Sequence, residues 1–258
     1  MCLIVFAYHK HPRHKLIVAA NRDEDYRRPT RGARFWDTKS NILAGKDLKA
    51  GGTWMGITRS GRFSAITNYR DAGISKEDPP SRGHLVLDFL KQSDPPEAYL
   101  EHVDQKADRY VGFNLLVGSA GDLFYYSNQQ QSKQQLSAGI YGLSNHLLDT
   151  PWPKVKRAKS QLQHIVQQPD ISETALFDLL ADDVEAPDDQ LPDTGIPKDI
   201  EKKISPVFIK SDNYGTRCST VLLVSREDEV TFIERRFKAG TQEVKEEKKF
   251  KFSLDRNQ

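Results

Sequence analysis

The sequence predicts a single α+β domain built as a four-layer α/β/β/α sandwich, with two antiparallel sheets face to face and helices on both outer sides. Three observations predict it. Strand-like and helix-like segments come in blocks: strands, a helix pair, strands, a helix pair, strands. Several strand segments, Cys2–Tyr8 and Ser219–Val224 among them, are apolar at nearly every position, which requires burial on both faces. The connections between neighbouring strands are short polar turns, which suit antiparallel pairs, whereas parallel pairs need long crossovers.

Each element follows from its own residues. Cys2–Tyr8 opens the chain as a strand, and the polar stretch His9–Lys15, with Pro12, turns it back into Leu16–Ala20 as a hairpin. Asn41–Ala44, Thr53–Thr58 and Phe63–Thr67 read as strands, the last two joined at Ser60-Gly61, and Pro79-Pro80 closes the block. Gly83–Gln92 places Leu85, Val86, Phe89 and Leu90 at helical spacing. A second helix starts at Pro95-Pro96 behind Asp94 and reaches Arg109. Strands return at Val111–Val117, Leu123–Ser127 and Ile140–Leu143, with Gly121-Asp122 as a hairpin turn. The glutamine-rich Gln129–Gln135 reads as a polar loop. Lys154–Gln168 is helical, with Val155, Ala158, Leu162 and Ile165 or Val166 on one face, and Ser172 caps a further helix to Ala181. Asp182–Lys203 is acidic, contains proline and lacks periodicity, the pattern of a mobile surface loop. Val230–Arg235 pairs with Ser219–Val224, and the charged tail Thr241–Gln258 is expected at the periphery.

Composition narrows the function classes. Across 258 residues, 37% are hydrophobic and 29% charged, and the net charge is +2, too balanced to mark a nucleic-acid binder. Two cysteines, Cys2 and Cys218, do not make a disulfide framework and fit a reducing compartment. No apolar run approaches the roughly 18 residues of a membrane span, and the N-terminus lacks the pattern of a signal peptide, so a cytoplasmic protein is expected. A two-fold homodimer is the base-rate expectation.

Cys2 is the residue with most chemistry to offer. Removal of Met1 would make it the N-terminus, carrying a thiol nucleophile and an α-amine base on one residue, with reference pKa values of about 8.5 and 7.7–8.0. The alternative is a small apolar residue at a buried strand end. The second strand runs into Asn21-Arg22-Asp23-Glu24, and an antiparallel hairpin brings this group beside Cys2. Alternation sends Asn21 and Asp23 to one face, Arg22 and Glu24 to the other. A carboxylate there would hold the amine, and an arginine would favour the thiolate. The plain reading of the same four residues is a polar turn with a surface ion pair worth at most about 1 kcal/mol.

Met-Cys-Leu-Ile at the start, Asn21-Arg22-Asp23-Glu24 followed by Arg28-Pro29-Thr30, Gly51-Gly52-Thr53-Trp54-Met55-Gly56, Asn68-Tyr69-Arg70 and Ser81-Arg82-Gly83 together resemble the NRDE family, also called the TANGO2 (transport and Golgi organization 2) family. The resemblance covers essentially the whole chain. It implies a fold resembling the N-terminal nucleophile (Ntn) hydrolases, and the cysteine acylases of that superfamily offer a closer comparison. They are similar at Cys2, at the Asn-x-Asp of Asn21 and Asp23, at a strand-end asparagine matching Asn68, at an oxyanion-donor asparagine matching Ser144-Asn145, and at a late-strand arginine matching Arg217. The departure is their first arginine, which precedes Asn-x-Asp where this chain has Ala20; here the arginine is Arg22, inside the motif.

Two functions are implied. In one, suggested by the family's association with haem trafficking, the Ntn-type pocket binds haem or a similar hydrophobic anion. Trp54 and Asn21 would line that pocket, and Arg22, Arg28 or Arg70 would rim it. In the other, Cys2 is the nucleophile of an amide- or thioester-hydrolase, with Asp23 orienting its amine, Asn68 and Asn145 at the oxyanion, and Arg217 lowering the thiol pKa or holding a substrate carboxylate. No cofactor is required by either. His9, His11 and His14 crowd one turn but lack a metal-site or haem-attachment pattern, so no metal site is expected. Gly51-Gly52-Thr53-Trp54 is not a phosphate loop, since no Gly-Lys-Ser/Thr follows. Asn145 and Asn68 also suit plain structural roles, as a helix cap and a turn residue.

Overall fold

The computed structural model describes residues 2–36, 41–73 and 76–255, and at Cys2 the backbone alone. Two antiparallel sheets form it. The first contains β1 (Cys2–Tyr8), β2 (His14–Asp25), β10 (Gly139–Leu143), β11 (Tyr214–Ser225), β12 (Glu229–Phe237) and β13 (Val244–Ser253), in the order β10-β1-β2-β11-β12-β13. The second runs in chain order through β3 (Thr30–Phe35), β4 (Ile42–Asp47), β5 (Met55–Thr58), β6 (Phe63–Asn68), β7 (Phe113–Gly118), β8 (Leu123–Ser127) and β9 (Ser132–Gln135). Helices α1 (Gly83–Lys91) and α2 (Pro96–Asp104) cover the second sheet. Helices α3 (Pro153–Val166) and α4 (Glu173–Leu180) cover the first, and α5 (Lys198–Lys203) is a short helix beyond them.

Three apolar layers explain why the sheets stack. Alternate residues of β1 and β2 split cleanly: Ile4, Phe6, Tyr8, Leu16, Val18 and Ala20 face the other sheet and meet Leu43, Phe63, Leu116 and Tyr125. Their neighbours Leu3, Val5, Ala7, Ile17 and Ala19 face α3 and α4, against Val155, Leu162 and Leu180. The outer face of the second sheet buries Ile66, Leu115 and Val117 under Leu85, Phe89 and Leu100. Each fully buried side chain of this size contributes about 1.5–3 kcal/mol, so a strand apolar on both sides is held by two cores at once. The four-layer sandwich read from the sequence is the fold observed.

Five segments differ from the sequence reading. Thr30–Phe35 forms β3 although only Ala33 and Phe35 are apolar in it; its pairing with β4 is irregular, and the Ala33 N–H donates to the Glu234 carboxylate across the sandwich at 2.7 Å. The glutamine-rich stretch holds a fully exposed edge strand, β9, paired to β8. The charged tail is no loose end: Val244–Ser253 forms β13 on β12, and Phe250, Phe252 and Leu254 pack on the inner core while lysines and glutamates alternate outward. The second helix stops at Asp104 and is followed by a 3-10 turn, Ala107–Arg109.

Within the stretch from 182 to 203, read as a loop, residues 198–203 are helical, and Glu201 is buried. Among the described residues no helix is long and apolar enough to cross a membrane.

Candidate functional site

The β1–β2 register places position 2 opposite Arg22 and Leu3 opposite Asn21; the β2–β11 register places Arg22 opposite Cys218. Position 2 therefore lies in one transverse row with Arg22 and Cys218. The Cys2 side chain and Met1 lie outside the described residues.

Alternation then sorts the motif. Arg22 follows Ala20 on the inner face, where its guanidinium carbon lies 4.3 Å from the Trp54 ring centroid. Its Nη1 donates to Thr30 Oγ1 at 3.3 Å, and its Nη2 is 3.6 Å from Glu24. Arg28 donates through Nε and Nη2 to Asp47 Oδ2 at 3.0 and 2.6 Å, which raises its pKa, and stands 3.7 Å from Glu24. Arg22, Asp23, Glu24, Arg28, Asp47, Trp54, Asn68 and Arg82 line one cleft of about 310 Å³.

Backbone closeness explains two of the glycine motifs. A Cβ on Gly52 would come 2.5 Å from the Gly83 carbonyl carbon, and the Thr53 N–H donates to the Gly83 carbonyl at 3.2 Å. Gly52 and Gly83 thus let the loop before β5 touch the start of α1, and Thr53 and Gly83 from this contact join the cleft's lining. Behind the cleft, a Cβ on Gly45 would fall 2.3 Å from Trp54 Cη2, so the indole occupies space that only glycine leaves open.

Asp23 is buried, accepts from Thr216 Oγ1 at 2.7 Å, and has its pKa pushed up by burial, opposed by the charge of Lys154 and the Thr216 bond. Asn145 is fully buried and donates through Nδ2 to the Asn68 carbonyl at 2.9 Å, so the two asparagines named from the sequence do meet. Arg217 sits at an irregularity in the β2–β11 pairing, between Thr216 and Cys218. Its Nη1 donates to the carbonyls of Asp25 and Arg28 at 2.7 and 3.0 Å, and burial, then the neighbouring Arg22, lowers its pKa. It lines a second cavity, which shares Trp54 with the cleft.

Two other residues are engaged elsewhere. Asn21 spends both amide hydrogens on the carbonyls of Leu180 and Val207, at 2.8 and 2.9 Å, and accepts from Ser219 at 2.6 Å, tying β2 to the helical layer. Arg70 pairs with Glu201 and lies 4.6 Å from the Trp152 centroid, outside the lining of the cleft.

The sequence reading did not single out Asp47, Thr216 or Lys154. Lys154 is the one of these with a signal in the sequence: it shares the stripe of Ala158 and Leu162, four residues apart, on a buried helix face, and its Nζ donates to the Ile204 carbonyl at 2.9 Å. Among the described residues no group of three metal-ligating side chains is found.

A family model for Transport and Golgi organisation 2 matches residues 1–239, nearly the whole chain. The chain belongs to the Transport and Golgi organisation 2 family. It is 38% identical over 256 residues to a mouse Transport and Golgi organization 2 homolog, covering 91% of this chain and 92% of the relative. It is 31% identical over 261 residues to the Drosophila melanogaster protein of that name, covering 91% of each. Among solved structures, a variant of the conjugated bile acid hydrolase of Clostridium perfringens superposes with a TM-score of 0.55 at 10% identity, over 100% of this chain and 99% of that one. A second variant of that hydrolase gives 0.52 at 9% identity, over 99% of both. At such identity the likeness is one of fold, and the fold of this family member is of the Ntn-hydrolase type.

Proposed function

We propose that this chain binds and carries a small organic anion with a flat apolar body, haem or a molecule like it, in the cleft beside position 2. The observation that carries the reading is the stack of Arg22 on Trp54, with Arg28 in the same cleft. An indole face gives an apolar ring something to lie on, and the guanidinium beside it meets the ligand's carboxylate. Glu24 stands 3.6 and 3.7 Å from these two arginines, at the outer limit of an ion pair, so a ligand carboxylate can take its place. At about 310 Å³ the cleft is near the lower end of the ~300–1,000 Å³ usual for ligand sites, and a macrocycle would enter by one edge. The family resemblance supports haem as the first molecule to try. The test is a haem titration followed at the Soret band, in the parent and in Trp54→Ala and Arg28→Gln. The expectation is saturable micromolar binding that weakens about tenfold in each variant, by loss of the stacking surface in Trp54→Ala and of one charge-assisted contact in Arg28→Gln. Absence of saturable binding in the parent overturns the reading.

The placement of position 2 favours a second reading, a cysteine hydrolase. With Met1 removed, the Cys2 α-amine would take the thiol proton, sulfur would bond to an amide carbonyl carbon, and the proton would pass to the departing amine as the C–N bond breaks. Water would then cleave the thioester. In this reading Asp23 would orient the amine, and Asn68 and Asn145 would hold the oxyanion. Intact mass reports whether Met1 is gone, and an acylating probe should label the parent but not Cys2→Ala. Equal labelling of both sinks this alternative.

A further inference from the structure

The second cavity, of about 410 Å³, shares Trp54 and no other lining residue with the first cleft. Tyr26, Trp54 and Phe237 give it apolar surface, and Arg217, Arg236, Lys238 and Lys245 give it positive charge. Two of these cations are already matched, Arg236 by Glu246 at 3.0 Å and Lys238 by Glu243. Arg217 is not. The irregular pairing at Thr216–Cys218 sets its guanidinium against two backbone carbonyls, which are neutral acceptors, and no carboxylate pairs with it among the described residues. Arg22 and Arg236 add like charge nearby, and the Glu24 and Asp25 carboxylates add opposite charge without pairing with it. Lys245, exposed on β13, also has no ion-pair partner among the described residues. The one carboxylate in the wall, Glu234, is 2% exposed, accepts the Ala33 N–H, and has its pKa pushed up by burial. A half-buried cation bonded to neutral carbonyls, with no carboxylate in ion-pair contact among the described residues, in a cavity of ligand size with three aromatic walls, is the complement of one chemical class.

We propose that this cavity is a second binding site, taking an organic anion whose carboxylate, sulfonate or phosphate head meets Arg217 and whose flat apolar body lies between Trp54 and Phe237. The inference does not rest on the haem reading of the first cleft.

The test titrates anilinonaphthalene sulfonate, a flat aromatic anion, into the full chain and reads the probe's fluorescence. A saturable component at this cavity is expected, apart from any binding of the probe in the first cleft. It should weaken at least about tenfold in Arg217→Gln and several-fold in Lys245→Glu, while Lys251→Glu, exposed on the same strand and outside the cavity lining, changes it less than about twofold. Near-ultraviolet circular dichroism checks that each variant is folded; Lys245 is exposed, so its variant keeps the test decisive should Arg217→Gln fail to fold. Binding that ignores both Arg217→Gln and Lys245→Glu, that falls equally in Lys251→Glu, or that never saturates overturns the proposal. None of those outcomes bears on the haem titration.

Discussion

Arg70 and Glu201 form an ion pair with side-chain exposures of 9% and 2%, and it fastens the chain just after Asn68 to helix α5. Thr194 donates to the other Glu201 oxygen, and the Arg70 guanidinium lies over Trp152. Removing one partner leaves a buried charge uncompensated, so Glu201→Ala should cost about 3–5 kcal/mol. Replacing both, as Arg70→Met with Glu201→Leu, should recover most of it. Urea unfolding of the three variants measures this, and a cost for Glu201→Ala below about 1 kcal/mol would refute the pair's anchoring role.

Gly45 and Trp54 are a second coupled pair. Gly45→Ala places a methyl where the indole lies, and the expected loss is about 1–3 kcal/mol of stability, with Trp54 displaced from Arg22. In Trp54→Ala the same change should be nearly neutral, so a double-mutant cycle should show coupling above about 1 kcal/mol. Additive effects would mean that the ring has room to move.

Glu234 gives a pH dependence with a definite sign. Burial raises its folded pKa above the ordinary value of 4.5, so the folded state holds its proton longer than the unfolded one. Its contribution to stability is therefore greatest below that value and declines as pH rises through the folded pKa. Glu234→Gln keeps an acceptor for the Ala33 N–H and removes the titration. Between about pH 4 and pH 7 the variant should gain stability relative to the parent as pH rises. A constant difference across that range would contradict the assignment.

His14 should act in the opposite sense. Burial, then neighbouring His11, lowers its pKa below 6.5, and the two Nδ1 atoms are 3.0 Å apart. A lowered histidine contributes stability that is present above the unfolded value and lost as pH falls below it. His14→Gln should flatten the acid limb between about pH 6.5 and pH 5. Urea midpoints at several pH values decide it, and a parent-like acid limb in the variant would refute it.

Much of this molecule was legible in its residues. Apolar runs with short turns named the hairpin of β1 and β2, and that hairpin placed Arg22 across from position 2. Alternation sent Asn21 and Arg22 to opposite faces, as their partners Leu180 and Trp54 show. The strands that escaped notice, β3, β9 and β13, are polar edge strands or nearly so. One side of each lacks the core that writes an apolar pattern into a sequence.

By itself the sequence determined the layers and which residues stand near position 2, because burial periodicity and turn chemistry are local. Tertiary structure decided which polar groups face a cavity. Asn21 is spent on carbonyls at Leu180 and Val207, Arg70 on Glu201, and Arg217 is turned by an irregular strand pairing into a second cavity. A long polar side chain takes whatever partner the packed fold brings within reach, and those partners here lie more than a hundred residues away along the chain.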